Sequence, residues 1–594
     1  MFESLPTVTR RSALKWIVGA GGVGLLSACG QQAPAPASGG APAAAAKPTD
    51  APKPQATLAA PPVVPTPAQA APAAAKPTEA AKPAAEAKPA APAKPVADVK
   101  RGGTLKVHRQ TDWPTLDPHT AQASSLDMVL VYDYLTRLDQ NPANGAWEVK
   151  PSLAQSWEVP DPLTVVFKLQ PNVKFHDGTD FNSEAVKWNL ERMMTHPKSA
   201  GKNHTATIDS IETPDPLTVR LKLKSPSPVL FVNLTADADS VAAMVSPTWA
   251  KQVGDQGMAT GSVGTGPFRL AEYQASNQIT YKKFDGYWKP GADGKPLPYP
   301  DEVTVKPNQD WNAALVQLRS GDFDVMWGLA GKDIPTVQNN PDLQYIPAPW
   351  AATMYQIVFN AKSGAKFAGE KMKKVRQAFN YALDRESIAK ALGSGIGEPN
   401  YQHLVPGQIG YSDKTIKYAF DLEKAKQLMA EAGYADGIDV TADFISRPED
   451  TQNIQLYQQM LAKIGVRMTL QPSERVAWVQ KMLAGDYEFG TFLSGVRPDP
   501  DLVLGYRFAK GGPGNYAIWE NPELDKLFDE GRSTYDTAKR QELYEKASNL
   551  IGDEAYVGFV WRRSGAAAMR KTVQGFTPVW GGVISSASEY WLSR

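Results

Sequence analysis

Six histidines, one cysteine and a few close-set carboxylates are the residues with which this chain of 594 could do chemistry, and their spacing supports none. His108, His119, His176, His196, His204 and His403 form no H-E-x-x-H motif and no pair spaced for zinc. There is no G-x-S-x-G elbow and no Walker A loop. Asp499-Pro500-Asp501 is an acid pair in form, but neighbouring loop carboxylates ordinarily serve a turn or the surface. Gly19-Ala20-Gly21-Gly22-Val23-Gly24 satisfies G-x-G-x-x-G, yet it follows no strand and lies in an apolar leader, which excludes dinucleotide binding. Cys29 is the only cysteine, so there is neither a disulfide framework nor a cysteine metal site. The expectation is a protein that is not an enzyme, with no cofactor and no metal; a secreted hydrolase is the remote alternative.

What remains is binding. Fifteen tryptophans and twenty-one tyrosines suit an enclosed cleft that stacks on a solute, although most must belong to cores. The formal charge is +1, and nine basic and five acidic residues fall in the first 98, which leaves the rest at −3. No basic patch of the kind nucleic acid requires is present.

The first residues are an address. Arg10-Arg11 precede an apolar run from Trp16 to Leu26 and then Leu26-Ser27-Ala28-Cys29, the order of a secretory signal. The paired arginines resemble a twin-arginine signal, although Ala13 stands where phenylalanine is usual, so the export route stays open. Leu-Ser-Ala-Cys resembles a lipobox, which implies that Cys29 is lipidated and anchors the protein to a membrane. Residues 30–98 are alanine, proline and lysine with few large apolar side chains, a composition that cannot offset its ordering entropy. A polyproline tether of that length reaches on the order of 200 Å at ~3.1 Å per residue.

The body is organised around residues 152–194. Val165, Phe167 and Leu169 alternate with Thr164, Val166 and Lys168 as in a half-buried strand, after Pro160-Asp161-Pro162, which is expected to end the strand before it. Asp177-Gly178 marks a turn, and Asn182 is placed to cap a helix carrying Val186, Leu190 and Met193. Trp157-Glu158-Val159, the turn, the strand, then Val173-Lys174-Phe175-His176-Asp177-Gly178-Thr179 and a capped helix reaching Leu190-Glu191-Arg192 resembles the signature of the family 5 extracytoplasmic solute-binding proteins. These are oligopeptide and dipeptide receptors of ABC importers. Gly264-Thr265-Gly266-Pro267-Phe268, Lys371 to Leu383 and Glu431-Ala432-Gly433-Tyr434 extend the resemblance over nearly the whole body.

The resemblance implies an α/β, bilobal periplasmic-binding-protein fold with an extra domain, mixed sheets flanked by helices and a hinged cleft. The expected divisions are a signal peptide with lipobox at 1–29, a disordered tether at 30–98, and a discontinuous lobe I at 99–146, 260–349 and 556–594. A small α+β domain at 147–259 belongs to lobe I, and lobe II spans 350–555. Within the small domain Val159-Pro160-Asp161-Pro162-Leu163-Thr164-Val165 recurs as Thr213-Pro214-Asp215-Pro216-Leu217-Thr218-Val219. Ahead of it, Met128, Val129, Tyr132 and Leu135 at helical spacing predict a helix from Ser125 to Thr136. A second internal pair is helix, Gly321-Asp322, strand in lobe I and helix, Gly485-Asp486, strand in lobe II, each aiming a strand end at a shared cleft.

In peptide-binding members the loop after the second of these strands carries a tryptophan and, three residues on, an aspartate for the peptide ammonium. Here those positions are Leu493 and Val496, while Pro498-Asp499-Pro500 aligns. A buried ammonium without a carboxylate costs several kcal/mol, so the expected solute is a peptide held in another way, with Asp499 a possible substitute, or a neutral solute such as an oligosaccharide. The candidate ligand-binding residues are Trp113, Trp327, Phe492, Val496, Arg497, Asp499 and Trp519, and each aromatic among them would serve a core equally well. The implied partners are the solute and the ABC permease subunits, with the receptor itself a monomer outside the cytoplasm, periplasmic or at the cell surface.

Overall fold

The computed structural model describes residues 99–121, 126–141, 146–237, 240–576 and 583–593. The export signal, Cys29 and the tether lie outside them. An eleven-stranded mixed sheet runs through the described body. Its middle is an antiparallel pair of long strands, Leu343–Phe359 and Val557–Arg570, which serve as crossovers between two halves. The first pairs outward with Phe489–Gly495 and the second with Val325–Trp327. On one side follow Ile438–Ile445 and Val466–Ser473; on the other Thr104–Arg109, Glu302–Pro307, Gln278–Lys283 and Phe268–Gln274. Two large apolar cores flank this seam, one around Leu105, Val165 and Phe268 and the other around Tyr355, Phe379 and Phe489.

The crossover pair is interrupted where the halves meet. Ala348 faces Gly565, but the next pair is Thr353 with Arg563, so the first strand bulges by several residues. A Cβ on Gly565 would stand 2.8 Å from the Ala351 carbonyl and 3.1 Å from that of Ala348. Only glycine lets the backbones approach this closely.

The twin hairpins lie side by side in a four-stranded sheet of order Ala154–Asp161, Thr164–Leu169, Thr218–Leu223, Ile208–Asp215. The repeated Asp-Pro-Leu-Thr has a local cause. Asp161 accepts from the Leu163 amide and Asp215 from the Leu217 amide, each at 2.9 Å, the same side-chain-to-backbone turn twice. The expected break at Pro160 is milder than the sequence suggests. The strand continues to Asp161 with a register shift after Glu158, because an edge strand tolerates a residue with no ladder donor. Asn182 caps the helix Ser183–Thr195, accepting from the Ala185 amide at 3.0 Å, and Val186, Leu190 and Met193 are buried. This unit shares one continuous core with the strand Thr104–Arg109.

The helix expected from Ser125 to Thr136 is not one. A 3-10 turn at Leu126–Leu130 gives way to the strand Thr136–Gln140. Val131, Tyr132, Tyr134 and Leu135 are all buried, so the apolar spacing reflected immersion and not one face of a helix. The carbonyls of Val131, Tyr134 and Leu135 accept from Gly266, Leu153 and Ala154 at 2.8, 3.0 and 2.9 Å, tertiary partners that replace the helical ladder.

Candidate functional site

The first member of the internal pair of helix, glycine and strand supplies Trp311 and Trp327 to the candidate site, and the second ends beside it at Val496. Helix Trp311–Ser320 ends on Gly321 at φ 89°, and helix Arg475–Ala484 ends on Gly485 at φ 72°, both left-handed positions that stop a helix cleanly. The following strands, Val325–Trp327 and Phe489–Gly495, lie on opposite sides of the crossover pair. Their ends converge. Trp327 and Val496 pack on one small apolar cluster with Leu138, Trp147 and Ala348.

Trp327 also lines a cavity of about 500 Å³ between the halves. Residues 328–332 continue its wall, residues 392–394 close it opposite them, and Thr353 and Arg563 reach in from the crossovers. Its two walls touch at the rim, where a Cβ on Gly331 would stand 2.5 Å from the Ser394 carbonyl.

Among the described residues Lys332 and Arg563 are the charged groups of this lining, and no carboxylate lines it. Arg563 bonds Glu449 at 2.7 Å, and Tyr355 donates to the same Glu449 oxygen. Tyr355 stacks on Trp561 with ring centres 3.8 Å apart, and Trp561 donates to Asn453 at 2.7 Å, so the Arg563 support is rigid. Burial pushes the Tyr355 phenol well above its ordinary range, which keeps it a donor. Lys332 bonds Asn312 at 3.1 Å and Asp333 at 3.2 Å while remaining largely exposed.

The candidates from sequence divide. Trp327 lines the cavity and Val496 adjoins it through the shared cluster. Arg497 is half-buried, and its carbonyl accepts from Gln408. Asp499 is no free carboxylate. It holds Arg540 through two bonds of 2.9 Å and accepts from the Asp501 amide, with 2 % of its side chain exposed. Swinging inward would strand a buried guanidinium, at a cost of about 3–5 kcal/mol.

Trp113, Phe492 and Trp519 are buried in the two cores. Arg109 lies over Trp113, Arg507 over Phe492, and Trp519 packs on Tyr556 at 5.4 Å. Their size carried them to the core, since large aromatic rings supply area wherever a lobe needs it. Lys332 and Arg563 were missed. The available signal was Arg562-Arg563, two cations in the midst of a strand otherwise apolar along most of its length.

Among the described residues no group of three or more His, Cys, Asp or Glu could hold a metal ion. The arrangement is a receptacle with an aromatic wall and two cations in its lining.

Known proteins share this plan. The family model of the bacterial extracellular solute-binding proteins, family 5 (middle), matches residues 148–516. The glutathione-binding protein GsiB of Pectobacterium atrosepticum is 30% identical over 502 residues, covering 80% of this chain and 95% of that protein. The PBP AgaA of A. tumefaciens R10, solved with agropinic acid, is 30% identical with a TM-score of 0.65, covering 83% of this chain and 99% of that one. The oligopeptide-binding protein AppA of Bacillus subtilis, solved with a nonapeptide, is 25% identical with a TM-score of 0.64, covering 84% of this chain and 100% of that one.

Proposed function

Since the chain belongs to the bacterial extracellular solute-binding proteins of family 5, binding proteins of ABC importers and not enzymes, we propose that it captures a peptide-like solute carrying a carboxylate between its lobes. The observation that carries this reading is the cavity where Trp327 and the Val496 cluster converge, lined by Lys332 and Arg563 and by no carboxylate. Val496 offers an ammonium nothing, and Asp499 is committed to Arg540. The solute's acidic end then faces Arg563, which is planar and can hold a carboxylate through two parallel bonds. A relative that binds glutathione and structural neighbours solved with a nonapeptide and with agropinic acid support the same class. An uncharged oligosaccharide would leave Arg563 to Glu449 and Lys332 to Asp333 and draw on neither charge.

Ligand that touches both lobes favours the closed arrangement through its differential affinity. The closed receptor then delivers the solute to the membrane permease. Lipidation of Cys29 and the tether at 30–98 keep the body near that permease, and the lobe and domain divisions given above are the units that move.

The test is calorimetric titration of a matched set: a short peptide, its N-acetylated form, its C-amidated form, and a neutral oligosaccharide. Acetylation changes Kd by less than about threefold, whereas amidation weakens binding by roughly tenfold or more, the size of a lost charge-assisted pair. A large penalty on acetylation with none on amidation contradicts the carboxylate reading, and binding of the sugar alone contradicts the peptide class.

A further inference from the structure

Far from the cavity, one side chain of lobe II is built into lobe I. Tyr535 lies in the short connection between helices Pro522–Ser533 and Thr537–Glu554. Its hydroxyl accepts from the Ser227 amide at 3.2 Å and donates to the Pro162 carbonyl at 3.3 Å, both in the small α+β unit. Its ring meets Phe231 edge-on at 6.3 Å and packs against the core of lobe I. Sequence distance makes the contact a long-range one, since Tyr535 and Pro162 are 373 positions apart.

The connection is held firmly. Asp536 caps the second helix by accepting from the amides of Ala538 and Lys539 at 2.8 and 3.0 Å, which fixes the direction in which Tyr535 projects. Arg540, one turn on, is the partner of Asp499 and also donates to the Gly531 carbonyl at 3.0 Å. The loop bearing Val496 is thereby tied to the connection bearing Tyr535 through rigid, buried bonds.

We propose that Tyr535 is a latch, a residue remote from the solute that stabilises the closed arrangement of the lobes and thereby sets the affinity of the receptor. The latch rests on the two-lobe capture proposed above, though not on which solute is captured. Its bonds exist only when the lobes meet. With the lobes apart, Ser227 and Pro162 pair with water and the Tyr535 ring is exposed, so the latch contributes a modest net bias. Two exchanged hydrogen bonds and a ring contact amount to about tenfold in the closed-to-open ratio. A pre-closed population raises apparent affinity for any solute that fits.

The experiment is pulsed dipolar electron resonance on the full chain without solute, in a Cys29→Ser background with labels at Asp209→Cys and Glu523→Cys, exposed positions on the two lobes. Tyr535→Phe removes both hydrogen bonds and keeps the ring; Tyr535→Ala removes everything. The wild type shows a short-distance population that falls about tenfold in Tyr535→Ala and to an intermediate level in Tyr535→Phe, with unchanged melting of lobe II in Tyr535→Phe. Identical distance distributions in all three chains overturn the latch, as does a wild type found wholly at the long distance. Because no solute is present, the outcome is separate from the ligand reading. A chain that opens on Tyr535→Ala yet binds no peptide keeps the latch and loses the peptide.

Discussion

Asp499→Asn separates a structural role from a ligand-binding one. The wild-type carboxylate meets Arg540 through two bonds of 2.9 Å, with side-chain exposures of 2 % and 5 %. Asparagine keeps the acceptor for the Asp501 amide but loses the charge, leaving a guanidinium buried against a neutral amide. Removing one member of such a pair costs about 3–5 kcal/mol, and the amide's remaining acceptor places this change near the lower end. For a lobe of roughly 200 residues, where each kcal/mol moves Tm by about 2–4 °C, that is a loss of roughly 6–12 °C. The assay is the transition of lobe II followed by urea and by calorimetry, with solute titrated at a temperature where the variant remains folded. Kd is expected to stay within about threefold of wild type. Adding Arg540→Met removes the stranded charge and recovers part of the lost stability. A variant as stable as wild type that has lost its affinity refutes this reasoning and makes Asp499 a ligand anchor.

Gly331→Ala places a Cβ 2.5 Å from the Ser394 carbonyl and 3.0 Å from that of Gly393, so it props the lobes apart without touching either core; Kd should weaken by about tenfold while both melting transitions stay in place. Stability should fall on acidification from pH 6.5 towards 4. Burial pulls the His119 and His176 imidazoles down to about 4 and that of His403 to about 3, so in this window the unfolded chain takes up protons that the folded chain refuses. Burial raises Asp133 to about 6, against the bonds from Trp288, Thr265 and Tyr287 that lower it, so its contribution is full below about 4 and lost as pH rises through 6, and Asp443, Asp450 and Asp501 are raised by burial to a smaller extent. The three large histidine shifts, with His108 lowered in the same sense, outweigh these and leave acid as the weaker side; urea midpoints at pH 7 and pH 4.5 check the sign. Cys29→Ala should move the protein from the membrane pellet to the supernatant with the melting of the body unchanged; a variant that still pellets removes the lipid anchor from the account.

Much of the architecture was legible because its signals are local. Asn182 before Ser183-Glu184, the Asp-Pro-Leu-Thr repeat and the glycines after each member of the paired helices act within a few residues, and each appears in the structure as a cap, a turn or a left-handed stop. The stretch 125–136 misled because helical spacing and burial on all sides give the same letters. Which aromatic residues face a cleft was not legible either. Trp327 and Trp519 are equally large, but Trp327 ends a strand paired with the second crossover at Ala567 and so lines the cavity, whereas Trp519 lies outside the strands and packs on Tyr556 in a core. Arg563 escaped notice for a related reason. Its importance depends on Glu449, 114 residues before it, which Tyr355 reaches from 94 residues earlier still. Val496 was readable as an absence of charge, but that Asp499 cannot replace it follows only from Arg540, 41 residues away.

A peptide-like, carboxylate-bearing solute in the cavity between the lobes is the proposal on which the receptor's role rests. Native mass spectrometry of the full protein, purified without denaturation and sprayed from volatile buffer, tests it most directly, because a closed cleft retains what it binds. A bound mass that fragments into amino-acid residues, and that is lost from Arg563→Ala, is the expected result. A bound mass that fragments into sugar units, or a peptide retained undiminished by Arg563→Ala, would contradict it.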